Sequence, residues 1–168
     1  GKSFDLLVLT GLPAEKWKAN ANPEADWDNI GKLIRILATV KCKKCILIST
    51  VDVFPEPSGV YETTFIDYSN AAVSAYGFHR KLYEEMILSL FDTTIIRLPG
   101  LVGKGLKKNV IFDMMNNNCV DKIDPDAMHQ YYNLSHLWSD IQQIPPAVKL
   151  IHFVTTPIRV HVIAKMFF

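Results

Sequence analysis

Three runs along the chain are almost wholly apolar over the length of a strand: FDLLVLT (Phe4–Thr10), KCILIST (Lys44–Thr50) and TTIIRLP (Thr93–Pro99). A strand with one wet face alternates polar and apolar residues, so continuous runs suit parallel strands covered on both faces. Between the first two, Ile30, Leu33, Ile34, Leu37 and Ala38 recur at helical spacing. Asn22 is placed to cap that helix, Pro23 takes its first position, and Glu24 and Asp26 favour its positive end.

After the second run, a loop with prolines at 55 and 57 leads into a long helix from about Ala72 to Phe91. Another helix is predicted over roughly Lys107 to Asn118, a short one near Leu134 to Gln142, a strand over Leu150 to Thr155, and a last helical segment after Pro157. Strand and helix alternate, so the expected class is α/β with a doubly wound parallel sheet. No repeat, low-complexity segment or linker interrupts the pattern, and residues 1–168 read as a single domain.

With 168 residues, 49% of them hydrophobic, the chain can bury a sizeable core. Its net charge of +1 and scattered basic residues lack the sustained stripe that nucleic-acid binding needs. No apolar run reaches the ~18 residues of a membrane span, and GKSFDLL lacks a secretory-signal pattern, so a cytoplasmic protein is expected. Three cysteines argue against a disulfide framework. Cys42 and Cys45 form a lone C-x-x-C, so no metal site is expected and a buried thiol is the plainer reading.

In open α/β sheets ligands lie beyond the carboxyl ends of the strands, here Thr10 and Gly11, Ser49 to Val53, and Pro99 to Gly103. In SAYGFHRKLYEE (Ser74–Glu85) and the residues after it, positions 76, 80, 83, 87 and 90 share one helix face, headed by Tyr76 and Arg80. Lys81 lies about 140° around the helix from Tyr76, so Arg80 is the cation beside the phenol. A fixed positive charge there is expected to pull the Tyr76 pKa down from about 10, toward the range where a phenol exchanges protons at neutral pH. The competing reading is an interior tyrosine, with Arg80 an ordinary ion-pairing residue bound to Glu84 one turn on.

Together these segments resemble the extended short-chain dehydrogenase/reductase family, the NAD-dependent epimerase/dehydratase group, from roughly Phe4 to the end. ILISTVDVFP resembles the segment whose Ser or Thr bonds the substrate hydroxyl, which points to Thr50. AYGFHRKLYEE resembles the Tyr-x-x-x-Lys helix, which puts Tyr76 in the place of the acid/base. IIRLPGLVGKGLKKNVI resembles the stretch lining the nicotinamide and substrate sites, and HFVTTPIRVHVIAKMFF the start of a substrate-binding portion near 150–168.

The resemblance implies a Rossmann-like sheet, NAD or NADP as cofactor, and hydride chemistry on a nucleotide sugar or similar hydroxyl substrate. A homodimer is also expected from the family's habit. The catalytic set would be Thr50, Tyr76 and Arg80, and the cofactor would meet Thr10, Gly11, Ser49, Tyr76, Arg80, Leu98, Pro99, Gly100 and Leu101.

Three departures stand beside it. Arg80 replaces the family's lysine, and Pro99 and Gly100 stand where an asparagine is common. The family's opening glycine-rich βαβ portion has no counterpart before Phe4, so the sheet is expected to be incomplete at its N-terminal side. GLVGKG (Gly100–Gly105) follows a later strand with the wrong spacing for a dinucleotide loop and reads as a substrate-side turn. Two alternatives remain: a non-catalytic dinucleotide-binding regulator or scaffold of the same fold, and a domain that binds a partner through its open edge.

Overall fold

A computed structural model describes residues 2–69 and 73–167. The chain forms two compact units: Gly1–Arg97 with Pro146–His152, and Leu98–Pro145 with Phe153–Phe168.

The first unit is built on a parallel sheet of four strands. They are β1 (Ser3–Leu9), β2 (Lys41–Thr50), β3 (Thr93–Leu98) and β7 (Leu150–His152), in the spatial order β1-β2-β3-β7. The three apolar runs are three of these strands, which bears out the predicted α/β class. Every residue of β3 is buried. In edge strand β1, by contrast, Phe4, Leu6 and Val8 are exposed, because they alternate onto one face while Leu7 and Leu9 face the helix-covered core. Full covering of the first strand, expected from its apolar run, is therefore not seen in the residues described.

Helices α1 (Lys16–Ala21), α2 (Pro23–Leu37) and α3 (Ala75–Leu90) complete the unit. The Asn22 side chain caps α2 by accepting from the Ala25 N–H, and Pro23 is at the first position as expected. Ser74 caps α3 in the same way through the Gly77 N–H, and the predicted start near Ala72 lies outside the described residues. The core between helices and sheet joins Leu9, Ile30, Leu37, Cys45, Leu47, Tyr83, Ile87 and Ile95. Leu90, expected on the buried face of α3, is exposed near the helix end, whereas Glu84 is fully buried.

In the second unit β4 (Gly100–Val102) pairs in parallel with β6 (Tyr131–Asn133), and β5 (Met128–His129) pairs antiparallel with β8 (Ile158–Arg159). The predicted helix over 107–118 shortens to α4 (Asn109–Met115). Its start is fixed by Asn109, at φ 76°, whose amide donates to the Leu101 carbonyl and whose oxygen accepts from Ile111 N–H. Asparagine tolerates this left-handed backbone because its short side chain bonds locally. The helix expected near 134–142 begins as a 3₁₀ turn, Leu134–His136, and continues as α5 (Leu137–Ile141). The strand expected to reach Thr155 stops at His152, since the Thr155 hydroxyl bonds the backbone N–H and carbonyl of Tyr131 instead. Helix α6 (Val160–Phe167) supplies the predicted last segment.

One core group is unsatisfied: the Tyr83 hydroxyl is buried with no hydrogen-bond partner among the described residues, and burial pushes its pKa up to about 12. A buried hydroxyl stripped of water and left unbonded costs about 1–3 kcal/mol. The variant Tyr83→Phe keeps the ring and loses that cost, so its urea-unfolding free energy is expected to equal or exceed that of the natural protein by up to about 1 kcal/mol. Clear destabilisation would show that the hydroxyl has a partner.

Candidate functional site

The carboxyl ends of β1 and β2 and the first turn of α3 bring most of the predicted residues into the first unit. Thr10 and Gly11 follow β1 and are exposed. Ser49 and Thr50 end β2, which runs directly into a 3₁₀ turn, Val51–Val53. The Thr50 hydroxyl caps that turn by accepting from the Asp52 N–H at 3.1 Å, and it lies 3.4 Å from the Asp52 carboxylate. Lys16 of α1 reaches across to the same carboxylate at 2.7 Å.

Helix α3 meets this turn through Gly77. A Cβ there would lie 2.1 Å from the Asp52 carbonyl oxygen, so only glycine lets the two segments touch. Tyr76, next to it, donates its backbone N–H to the Asn20 side chain at the end of α1. Tyr76 and Arg80 are both buried, and the guanidinium lies over the Tyr76 ring, 4.4 Å from its centroid. The predicted pairing of phenol and guanidinium on one side of α3 is thus present, while Lys81 turns outward to Glu85 at 3.0 Å.

What Arg80 binds differs from either sequence reading. Its partner is not Glu84 but Asp26, in the first turn of α2, through two bonds of 2.9 Å, with a third bond of 2.9 Å to the Pro13 carbonyl. The Asp26 carboxylate is also 2.9 Å from His79 Nδ1. Burial alone would raise the Asp26 pKa, but the bonds from Arg80 and His79 hold it below the usual carboxylate value.

The phenol moves the other way from the expectation. Burial pushes the Tyr76 pKa up; Arg80 works against that, while the negative charges of Asp52 and Asp26 add to it. Desolvation disfavours the phenolate more than a cation already bound to a carboxylate can favour it.

Ser49, expected on the cofactor, has its hydroxyl committed to Glu84 at 2.6 Å. Glu84 is held by Arg97 of β3 through bonds of 2.9 and 2.6 Å, and Arg97 reaches His152 Nε2 at 3.4 Å. Because arginine only donates, that histidine nitrogen must accept, which requires the neutral ring. Burial keeps the His152 pKa below its ordinary value. The remaining predicted cofactor residues, Leu98, Pro99, Gly100 and Leu101, begin the second unit, and Gly100 and Leu101 are strand residues of β4.

Sequence reasoning missed Asp26, Asp52, Lys16, Glu84, Arg97 and His152. Arg97 carried a readable signal, since a charge within a run that reads as a buried strand demands a buried counter-charge. Asp26 read only as a helix-dipole residue, because its partner lies 54 positions away.

No protein-family model matches this sequence, and no curated protein matches it. Solved structures do share its fold. An NAD-dependent NDP-hexosamine 5,6-dehydratase of tunicamycin biosynthesis, TunA, superposes with a TM-score of 0.77 at 12% identity, over 96% of this chain and 59% of that one. The UDP-N-acetylglucosamine 4-epimerase of Methanobrevibacter ruminantium M1 gives 0.75 at 13% identity, over 96% and 59%. A partial-consensus L-threonine 3-dehydrogenase gives 0.71 at 11%, over 96% and 61%. The chain therefore has the Rossmann-like fold of these enzymes and spans about 59% of the length of the first. Because sugar-nucleotide enzymes and an amino-acid dehydrogenase share it, the fold leaves the substrate open.

Two measurements test the buried network. Removing one partner of a buried ion pair costs about 3–5 kcal/mol, so Arg97→Met should destabilise the protein by that amount in urea unfolding, and far less once Glu84→Gln is added. His152 has a folded pKa below its ordinary 6.5. The stability it contributes is full above that value and lost as pH falls through the folded pKa. A His152→Gln variant should lose that part of the acid slope, seen in unfolding free energy measured from pH 7 downward.

Proposed function

We propose that the protein is an NAD(P)-dependent epimerase, dehydratase or reductase acting on a hydroxyl of a nucleotide sugar. The observation that carries this reading is the Tyr76 and Arg80 stack at the first turn of α3, held by Gly77 against the Thr50 and Asp52 turn at the carboxyl end of β2. That is where an open α/β sheet places its ligand, and a phenol on the helix turn that meets a hydroxyl- and carboxylate-bearing turn can exchange a proton with a substrate there.

In this reading Thr50 orients the substrate hydroxyl and Tyr76 exchanges its proton. Of the five N–H groups of a guanidinium, three are taken in Arg80, leaving two for a ribose hydroxyl. Thr10 and Gly11 would meet the cofactor beyond β1, where a Cβ at Gly11 would find only Leu33 at 3.9 Å, so there is room for a ligand. The Ser49 hydroxyl, bound to Glu84, supports that face from behind instead of contacting the dinucleotide. Bound NAD(P) would supply the hydride acceptor.

A second reading, a non-catalytic dinucleotide-binding protein, is favoured by the commitment of Arg80 to Asp26. The variant Tyr76→Phe separates the two. It should bind NAD(H) or NADP(H) as the natural protein does, and turn over nucleotide sugars about 10² to 10⁴ times more slowly. Dinucleotide binding by the natural protein, with no turnover across a panel of UDP- and dTDP-sugars, selects the second reading.

A further inference from the structure

The groups around the Tyr76 phenol form two closed pairs. From its own helix comes Arg80, bound through both terminal nitrogens to Asp26 of α2, with His79 on the far side of that carboxylate. From the turn after β2 comes Asp52, bound to Lys16 of α1. Among the described residues Arg80 and Lys16 are each matched by a carboxylate, and both members of the Arg80–Asp26 pair are buried. Asp26 thus opposes the field of a guanidinium that lies 4.4 Å from the centroid of the Tyr76 ring.

We propose that Asp26 is a positioning residue: it holds Arg80 over the Tyr76 ring, offsets part of its charge, and so adds to burial in keeping Tyr76 a neutral phenol in the resting protein. In the reducing direction Tyr76 is then ready to donate a proton, and in the oxidising direction it must release its own before it can take the one from the substrate hydroxyl. The direction of the Tyr76 pKa, raised despite the adjacent cation, agrees with this arrangement. The role in reaction rests on the enzymatic reading given above; the charge balance itself does not.

The test is the titration of the Tyr76 phenol in the intact protein without cofactor or substrate. Tyrosine labelled with ¹³C at the ζ carbon is followed by NMR, and Tyr76→Phe identifies its signal among the six tyrosines. The natural protein should titrate above the ordinary value of about 10. Asp26→Asn leaves Arg80 charged and unmatched, and should lower the Tyr76 midpoint by about one unit or more. The double variant Asp26→Leu with Arg80→Leu removes the pair together and leaves no lone buried charge, so its midpoint should stay within about one unit of the natural value.

An unchanged or higher midpoint in Asp26→Asn overturns the proposal. So does a rise of well over a unit in the double variant, which would mean that Arg80 had been lowering the phenol all along. Should Asp26→Asn fail to fold, the double variant decides alone. Because no substrate is present, absent turnover counts against the enzymatic reading and leaves this assignment standing.

Discussion

Helix α3 carries opposite charges one turn apart and does not pair them with each other. Arg80 turns to Asp26 on α2, and Glu84 turns to Arg97 on β3. An arginine followed by a glutamate at i+4 has the weaker of the two helix orientations, and such surface pairs are worth only about 0.2–0.5 kcal/mol. Burial changes the comparison, because each buried charge left without a full partner costs several kcal/mol. Two-pronged bonds to separate elements satisfy both, and they fix α3 at once against its neighbouring helix and against the sheet. The placement of Tyr76, on the first turn of α3, follows from that double attachment.

The same constraint explains why the first turn of α3 and the turn after β2 meet so closely. With α3 held on both sides, its first turn has no freedom to retreat from Asp52, and the residue in contact must lack a side chain. Gly77 meets that requirement, and the Thr50 cap on the 3₁₀ turn keeps the opposing backbone in place. The chemistry-bearing groups are therefore positioned by buried electrostatics and backbone contact more than by apolar packing.

Much of this fold was legible in the sequence. Continuous apolar runs marked β1, β2 and β3, and the Asn22–Pro23 pair marked the start of α2 to the residue. Those signals are local, set by side-chain period and by capping chemistry. The short strands β4, β5, β6 and β8 escaped because two or three residues carry no readable period. At the site, the shared face of Tyr76 and Arg80 could be read from helical spacing alone, but the partner of Arg80 could not. Glu84, one turn along the same helix, was the acidic partner that spacing offered, and only the approach of α2 to α3 brings Asp26 to Arg80 instead.

That choice of partner gives the arginine its meaning. A lysine at position 80 would present one compact ammonium, free to swing between a phenol, a carboxylate and a sugar hydroxyl. The planar guanidinium instead matches both oxygens of Asp26 while lying over the tyrosine ring, 4.4 Å from its centroid. It exchanges mobility for a fixed geometry, with its charge opposed by the carboxylate it binds. The arginine at position 80 and the buried carboxylate on α2 are thus two halves of one arrangement, and neither residue's role can be read without the other.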